Sequence, residues 1–474
     1  MTTPIFPSVI GHNVLDGGTD AQDGNNYPGP LLQEYAAAVV GVGDKYFPRQ
    51  QYYRLATFGD SRCNVSYIHS GSTASGNSVN VDRVAAQLCR VRGDMRIIFN
   101  GGVSGDSASN WNAARGSSQT VQDVLTSNPD IVIMQYGIND VIGWNGSSPT
   151  QQGMVDQIAG NLMAACSAFM GAGVFVIFES VNTCAAAAAS YINGYGSAGG
   201  FGANAAGKAA IVQAVNALMQ AWLSSWPDRA VYVDTSSVFA DSDGYAKTDG
   251  SYYDGTHPSA YGSLQAAILI DSAISLRLPR RTPIMPSTAR NAVDGYWLGA
   301  TAGLASGVAI TADSGTWAAE TYSIDGDQQV INFNCTALAS GVARRIIDIT
   351  PLIIGAGATV PVTAGDIMQG RIEYEIDDGN GGAPAVYAIS LRPRIYYDDA
   401  SNEFVAFGQG ITNSTDFPRM PAHTGHLLTP GIAIKATKSS ANILTTTRFQ
   451  ILLYGNQTGT TRVKLRAPEF RKLT

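Results

Sequence analysis

The sequence predicts an α/β region with a parallel sheet covered on both faces, followed by an all-β region. Three observations predict it. Between residues 51 and 280, short and almost wholly apolar segments alternate with helical patterns. The stretch LPRRTPIMPSTARN, Leu278 to Asn291, then brings three prolines and several basic residues together, as a linker does. Beyond about residue 292 the helical period gives way to alternation with period two.

The elements follow in order. Residues 1–50 are rich in Gly, Pro and Asn, with one short helical candidate at Leu31–Val40, and read as an arm or cap. Region 51–280 opens with a strand at Tyr53–Phe58 and a helix at Asp82–Arg92. A second strand, Met95–Asn100, runs into a Gly-rich loop. A helix at Thr120–Ser127 precedes a third strand, Ile131–Gln135. The long amphipathic helix Gln151–Met170 leads to a fourth strand, Val174–Glu179. Helix Ala205–Trp226, the short strand Ala230–Val233 and helix Ser263–Leu278 complete the region. Residues 281–292 are the expected linker. In 293–474, segments such as YSIDGDQQVINFN, GRIEYEID, YAISLRPRIYY and TRFQILLYG are separated by Gly, Asn and Asp turns. They predict a β-sandwich or jelly roll, serving carbohydrate binding or oligomerisation.

Composition narrows the partners. The chain has 474 residues, more than one domain usually holds. Charged residues are only 14%, Gly numbers 52 and the formal net charge is −7, which argues against a nucleic-acid partner. No apolar run is long enough to span a membrane, so no membrane insertion is expected. The N-terminal MTTPIFPSVIGHN lacks a basic n-region and a long apolar core, so no signal peptide is read. The five cysteines are scattered, odd in number and not at zinc spacing, which predicts buried free thiols. Low charge with abundant Gly, Ser, Thr and Asn suits an extracellular or virion protein.

Chemistry-bearing residues gather where a doubly wound sheet would put them. Ligands in such sheets bind beyond the carboxyl ends of the strands, at a switch point. The first strand breaks at Gly59-Asp60-Ser61. The loop after the second is NGGVSGDS, Asn100 to Ser107, and that after the third is QYGINDV, Gln135 to Val141. Near the end of the region lies YYDGTHPSAYG, Tyr252 to Gly262, with Asp254 three residues before His257. That spacing lets both side chains rise from one turn and pair. Each block alone is weak, since Gly, Asp and Ser are common turn residues. Their order and placement carry the reading.

Taken together, the four blocks resemble the SGNH (GDSL-type) hydrolase family: GDS at Gly59–Ser61, an NxxxSG-like loop at Asn100–Gly105, GxND at Gly137–Asp140 and DxxHP at Asp254–Pro258. The resemblance covers roughly residues 50–280 and implies a flavodoxin-like three-layer α/β/α fold. One departure is Arg62, where many members carry Leu, a position of little expected consequence. The resemblance implies Ser61 as nucleophile, His257 as base and then acid, and Asp254 as the orienting carboxylate. It places oxyanion donors at the Ser61 and Gly105 backbone N–H groups and the Asn139 amide. Asp60 and Asp140 are expected to brace the loops. No cofactor is implied. DSDGYAKTDG, Asp241 to Gly250, lacks the full calcium-ligand series, and no metal is expected there.

For the substrate, Trp111, Trp144 and Tyr253 lie close to the blocks, and the loop Asn182–Asn204 adds Tyr191, Tyr195 and Phe201. Aromatics beside polar loops suit stacking on sugar rings. With the β region, they point to a carbohydrate O-acetylesterase acting on an acetylated polysaccharide or oligosaccharide, as in bacteriophage tail proteins, which are commonly trimers. The alternatives are a lipase- or thioesterase-like hydrolase, and a non-catalytic polysaccharide-binding virion protein.

Overall fold

The structure is a computed structural model that describes residues 52–64, 78–80, 83–113, 120–191, 199–281, 302–350, 361–404, 406–408, 418–429, 432–444 and 447–472. The helical candidate at Leu31–Val40, Tyr195 and the linker beyond residue 281 lie outside them.

The first region follows the expected alternation. Strand β1 (Tyr53–Gly59) is followed by β2 (Ser78–Asn80), helix α1 (Val84–Arg92), β3 (Met95–Gly102), α2 (Val121–Thr126) and β4 (Ile131–Gln135). Then come α3 (Ile138–Gly143), α4 (Gln151–Gly171), β5 (Phe175–Glu179), α5 (Ala205–Leu223), β6 (Ala230–Val233), α6 (Ser236–Phe239) and α7 (Ala260–Ile274). Caps fix several starts. Thr120 closes a capping box with Asp123, and the Thr150 and Ser259 hydroxyls accept the N–H groups of Gly153 and Gly262. Helix α5 stops short of the expected Trp226. Ser225 and Trp226 turn to i→i−3 bonds on Trp222 and Leu223, just ahead of Pro227, which disfavours helix at the residue before it.

Five strands form one parallel sheet in the order β3-β1-β4-β5-β6. In sequence order this is the 2-1-3-4-5 winding of flavodoxin-like folds, with the switch point between β1 and β4. Both faces are covered, and successive residues split between them. Leu55, Ile97, Ile131, Ile133 and Ile177 pack with Val84, Leu88, Leu264 and Ile270 of α1 and α7. Ala56, Phe58, Phe99, Val132, Met134, Val176 and Phe178 pack with Ile158, Leu162, Phe169, Ile211 and Val215 of α4 and α5.

The second region is all-β, with antiparallel pairing among its own strands. One sheet runs His423–Leu428, Ile367–Asp377, Gly459–Lys472, Gln328–Ala337, Thr316–Trp317. The other runs Ala406–Gly408, Ala388–Tyr396, Arg448–Gly455, Ala343–Ile349, Val308–Ser314. The α/β region contributes to this second sheet, because β2 pairs in parallel with Ala406–Gly408 at its edge. The core under α1 and α7 runs on into the β region. Arg90 Nε donates to Tyr374 Oη at 2.7 Å, and a Cβ on Gly93 would come within 2.4 Å of the His426 ring. Alternation within single segments does not reveal a strand lent across the boundary, so β2 has no local signature.

Candidate active site

All four blocks meet at the carboxyl edge of the parallel sheet. The last residue of β1 is a glycine because the neighbouring backbone leaves no room: a Cβ there would lie 2.0 Å from the Gln135 carbonyl oxygen of β4. The chain then turns, with Cys63 N–H bonded to Asp60 O at 3.1 Å. Ser61 sits in this turn and is 7% exposed. Its Oγ lies 2.9 Å from His257 Nε2.

His257 is held from the other side. Its Nδ1 lies 2.7 Å from Asp254 Oδ2, while Asp254 Oδ1 accepts the backbone N–H groups of His257 and Thr256 at 2.6 and 2.9 Å. With Nδ1–H given to the carboxylate, Nε2 is left as the acceptor for the Ser61 hydroxyl. Burial alone would raise the Asp254 pKa. The hydrogen bond and charge of His257, with the two backbone donors, outweigh it and hold Asp254 below the usual range. For His257, burial is the largest influence and lowers the pKa. Asp254 opposes it, and the charges of Arg83 and Arg62 add to the lowering. The imidazole is therefore neutral at neutral pH, the form that can take a proton.

The second and third blocks brace each other. Gly105 adopts φ +74°, in the left-handed region that favours glycine. Asn139 Nδ2 donates to Asp106 O at 2.8 Å, which fixes the amide plane and leaves its second N–H to point elsewhere. Tyr136 Oη donates to Asp106 Oδ2 at 2.6 Å, and Asp140 Oδ2 accepts Ala108 N–H at 2.7 Å. Asp60 Oδ1 likewise accepts Arg62 N–H at 2.9 Å, so both acids brace loops. The segment expected as a loop after β4 is the short helix α3, started by Gly137 at φ +108°.

The aromatic expectation is largely overturned. Trp144 is buried in the core between α3 and α5, and its Nε1 donates to Pro149 O at 2.8 Å. Tyr252 and Phe201 are buried as well. Tyr253 is buried against His257 and the β region and does not line an open groove. Their large apolar area packs the bases of the loops, where burial stabilises them more than exposure would. Trp111, beside the second block, and Tyr191 remain half-buried.

Several residues that the sequence reading gave no part hold the site from beneath. Arg62 is 1% exposed. Its guanidinium donates to Asn182 O, to Thr183 O at 2.8 Å and to Cys184 Sγ at 3.2 Å, tying the first block to the loop after β5. Glu179 Oε1 accepts Gln135 Nε2, Asn182 Nδ2 and Thr235 Oγ1 at 3.1, 2.8 and 3.2 Å. Burial raises the Glu179 pKa to about 7, with hydrogen bonds from Asn182 and Thr235 and the charge of Arg62 opposing the rise. Arg83 Nε donates to Ser61 O at 3.1 Å. One signal was legible: IVIMQ and VFVIFE are apolar strands that each end on a polar residue at the same edge of the sheet. All five cysteines are free, and all but the half-buried Cys89 are buried.

Residues 57–263 match the model of the GDSL-like lipase/acylhydrolase family. This region is an SGNH hydrolase domain. No curated protein matches the chain. Among solved structures, a GDSL-like lipase from Bacteroides thetaiotaomicron is similar at 17% identity, over 52% of this chain and 98% of that one, with a TM-score of 0.31. An acetylxylan esterase from Geobacillus stearothermophilus is similar at 16% identity, over 48% and 93%, with a TM-score of 0.30. The SGNH hydrolase domain thus presents a hydroxyl, an imidazole and a carboxylate in line, beside two braced loops that carry N–H donors. Among the described residues, no helix is long and apolar enough to cross a membrane.

Proposed function

We propose that the protein is a serine esterase that removes O-acetyl groups from a carbohydrate, a bacterial surface polysaccharide being the substrate that fits best. The observation that carries the reaction is the continuous relay from Ser61 Oγ to His257 Nε2 at 2.9 Å and from His257 Nδ1 to Asp254 at 2.7 Å. Ser61 Oγ attacks the ester carbonyl while its proton passes to Nε2. The tetrahedral oxyanion is met by the N–H groups of Ser61 and Gly105 and by the second N–H of the Asn139 amide. His257 returns the proton to the departing sugar oxygen, which leaves an acetyl group on Ser61. A water, deprotonated by His257, then attacks this acyl-enzyme, the acyl–Oγ bond breaks, His257 returns the proton to Ser61 Oγ, and acetate leaves.

The carbohydrate assignment rests on other supports: the fused all-β region, the low charge with abundant Gly, and the half-buried Trp111 beside the second block. The same composition fits an extracellular or virion setting.

Acetate release from p-nitrophenyl acetate and from acetylated bacterial polysaccharides, wild type beside Ser61→Ala, tests this. The expected result is release from both substrates, falling about 1,000-fold or more in the variant. Equal release by Ser61→Ala would overturn the esterase reading and leave the polysaccharide-binding one. Rates that climb with acyl length on a nitrophenyl ester series would instead favour a lipase- or thioesterase-like hydrolase.

A further inference from the structure

The relay holds the His257 imidazole at two points, Nδ1 on Asp254 and Nε2 on Ser61. With the covalent Cβ–Cγ bond, these two points set the mean plane of the ring. A neighbouring ring packed parallel to it limits excursions of the side-chain torsions from that plane, and the structure has one. The Tyr253 ring stacks on the His257 ring with centroids 5.8 Å apart and planes inclined by 14°. Tyr253 and His257 are also linked through the backbone, Tyr253 N–H to His257 O at 3.2 Å.

What backs Tyr253 comes from the other region. Tyr253 belongs to a small buried cluster with Tyr387, Ala388, Leu452 and Tyr454. Ala388 and Tyr454 are register partners on adjacent strands, Tyr387 N–H donates to Tyr454 O at 2.8 Å, and the two tyrosine rings lie 6.3 Å apart. Strand Arg448–Gly455 is paired on both sides, with Ala388–Tyr396 and Ala343–Ile349. This makes the end of a strand paired on both sides a stiff backing for a loop tyrosine. The cluster stands apart from the two large cores of the molecule.

We infer that Tyr253 is a positioning residue and that the β region, through Tyr387 and Tyr454, holds it flat against His257, so that the β region is part of the catalytic apparatus as well as any binding module. The inference rests on the reading of His257 as general base. Its consequence is that changes in the β region reach the chemistry without touching the relay. Among the groups that act on His257 are Asp254 at Nδ1, Ser61 at Nε2, the charges of Arg83 and Arg62, and the Tyr253 ring. Of these, the Tyr253 ring is the apolar neighbour that packs alongside the imidazole.

The test uses the full chain and p-nitrophenyl acetate, with rates normalised to the amount of Ser61 that a fluorophosphonate traps. Tyr253→Leu removes the flat contact and keeps bulk. It is expected to lower kcat about 10- to 100-fold, in the range that a small misplacement of a reacting group costs. KM should stay within about two-fold, and the acidic inflection of kcat/KM should move up toward the ordinary histidine value of about 6.5. Tyr253→Phe keeps the ring and should restore both rate and inflection. Tyr387→Ala and Tyr454→Ala, made separately, should show the same signature at smaller size. Wild-type kcat and pH profile in Tyr253→Leu, or β-region variants that lose thermal stability alone, would overturn the inference. If Tyr253→Leu does not fold, the two β-region variants decide it. Activity surviving in Ser61→Ala would instead sink the underlying reading, so the two failures are distinct.

Discussion

At the carboxyl edge of the parallel sheet, buried polar groups bond to the loops that they hold. Arg62 gives its N–H groups to the backbone of Asn182 and Thr183, and Glu179 collects Gln135, Asn182 and Thr235. In the β region, buried charges pair across strands instead. Arg371 meets Glu469 of the adjacent strand at 2.8 Å, with Glu373 of its own strand at 2.6 Å, and Arg462 Nε donates to Asp377 across the strands at 2.9 Å. The difference lies in what the charge is spent on. A cross-strand pair satisfies itself and locks a register already set by the ladder. The edge network satisfies loop backbone that no ladder reaches, and so it fixes the positions of groups that do chemistry.

If that contrast is sound, damage at the edge should show mainly in rate, and damage in the β pairs mainly in stability. The largest expected effect is Asn139→Ala. Removing an oxyanion donor should lower kcat by about 100- to 1,000-fold with little change in the melting temperature. A loss confined to stability would mean that the amide only braces Asp106.

Next is Glu469→Ala, which strips a buried partner from Arg371. Breaking such a pair costs about 3–5 kcal/mol, here at the lower end because Glu373 remains. Urea unfolding should show this loss while kcat per folded molecule holds. A fall in kcat as large as the fall in stability would erase the contrast.

A smaller effect concerns pH. With the His257 pKa lowered by burial, the folded protein favours the neutral base. The acidic inflection of kcat/KM should then lie below about 6.5, with activity lost as pH falls through it. An inflection above that value would show that the Asp254 charge outweighs burial.

The last concerns Glu179. Its folded pKa, about 7, is raised above the ordinary carboxylate value. Its contribution to stability is therefore full at low pH and is lost as pH rises from about 4.5 to about 7, by on the order of 3 kcal/mol. Glu179→Gln should flatten that stretch of the stability–pH curve. An unchanged slope, measured by denaturant titration at several pH values, would assign the slope to other groups.

The sequence by itself determined the order of the α/β elements and the four blocks. Both are written in local chemistry: apolar runs of strand length, helix caps such as Thr120, Thr150 and Ser259, and a glycine wherever the turn demands one. Gly59 could be read because an apolar run breaks there at a turn-forming Gly-Asp-Ser. The Asp254–His257 pairing could be read because three residues span one turn.

Other features depended on partners far along the chain. Trp144, Tyr252 and Phe201 look like surface aromatics beside polar loops, yet the folded loops close over them. Arg62 occupies a position where an apolar residue is expected, and only the carbonyls of Asn182 and Thr183, some 120 residues away, make its burial tolerable. The strand Ser78–Asn80 pairs across the boundary between regions, a contact that no local pattern encodes. Tyr253 is the sharpest case. Its neighbour in sequence is the histidine loop, and its support is a pair of tyrosines at the ends of adjacent strands, more than 130 positions later. Local sequence sets which conformations are cheap. Only the tertiary structure decides which buried polar groups find partners, and which surfaces are exposed once they do.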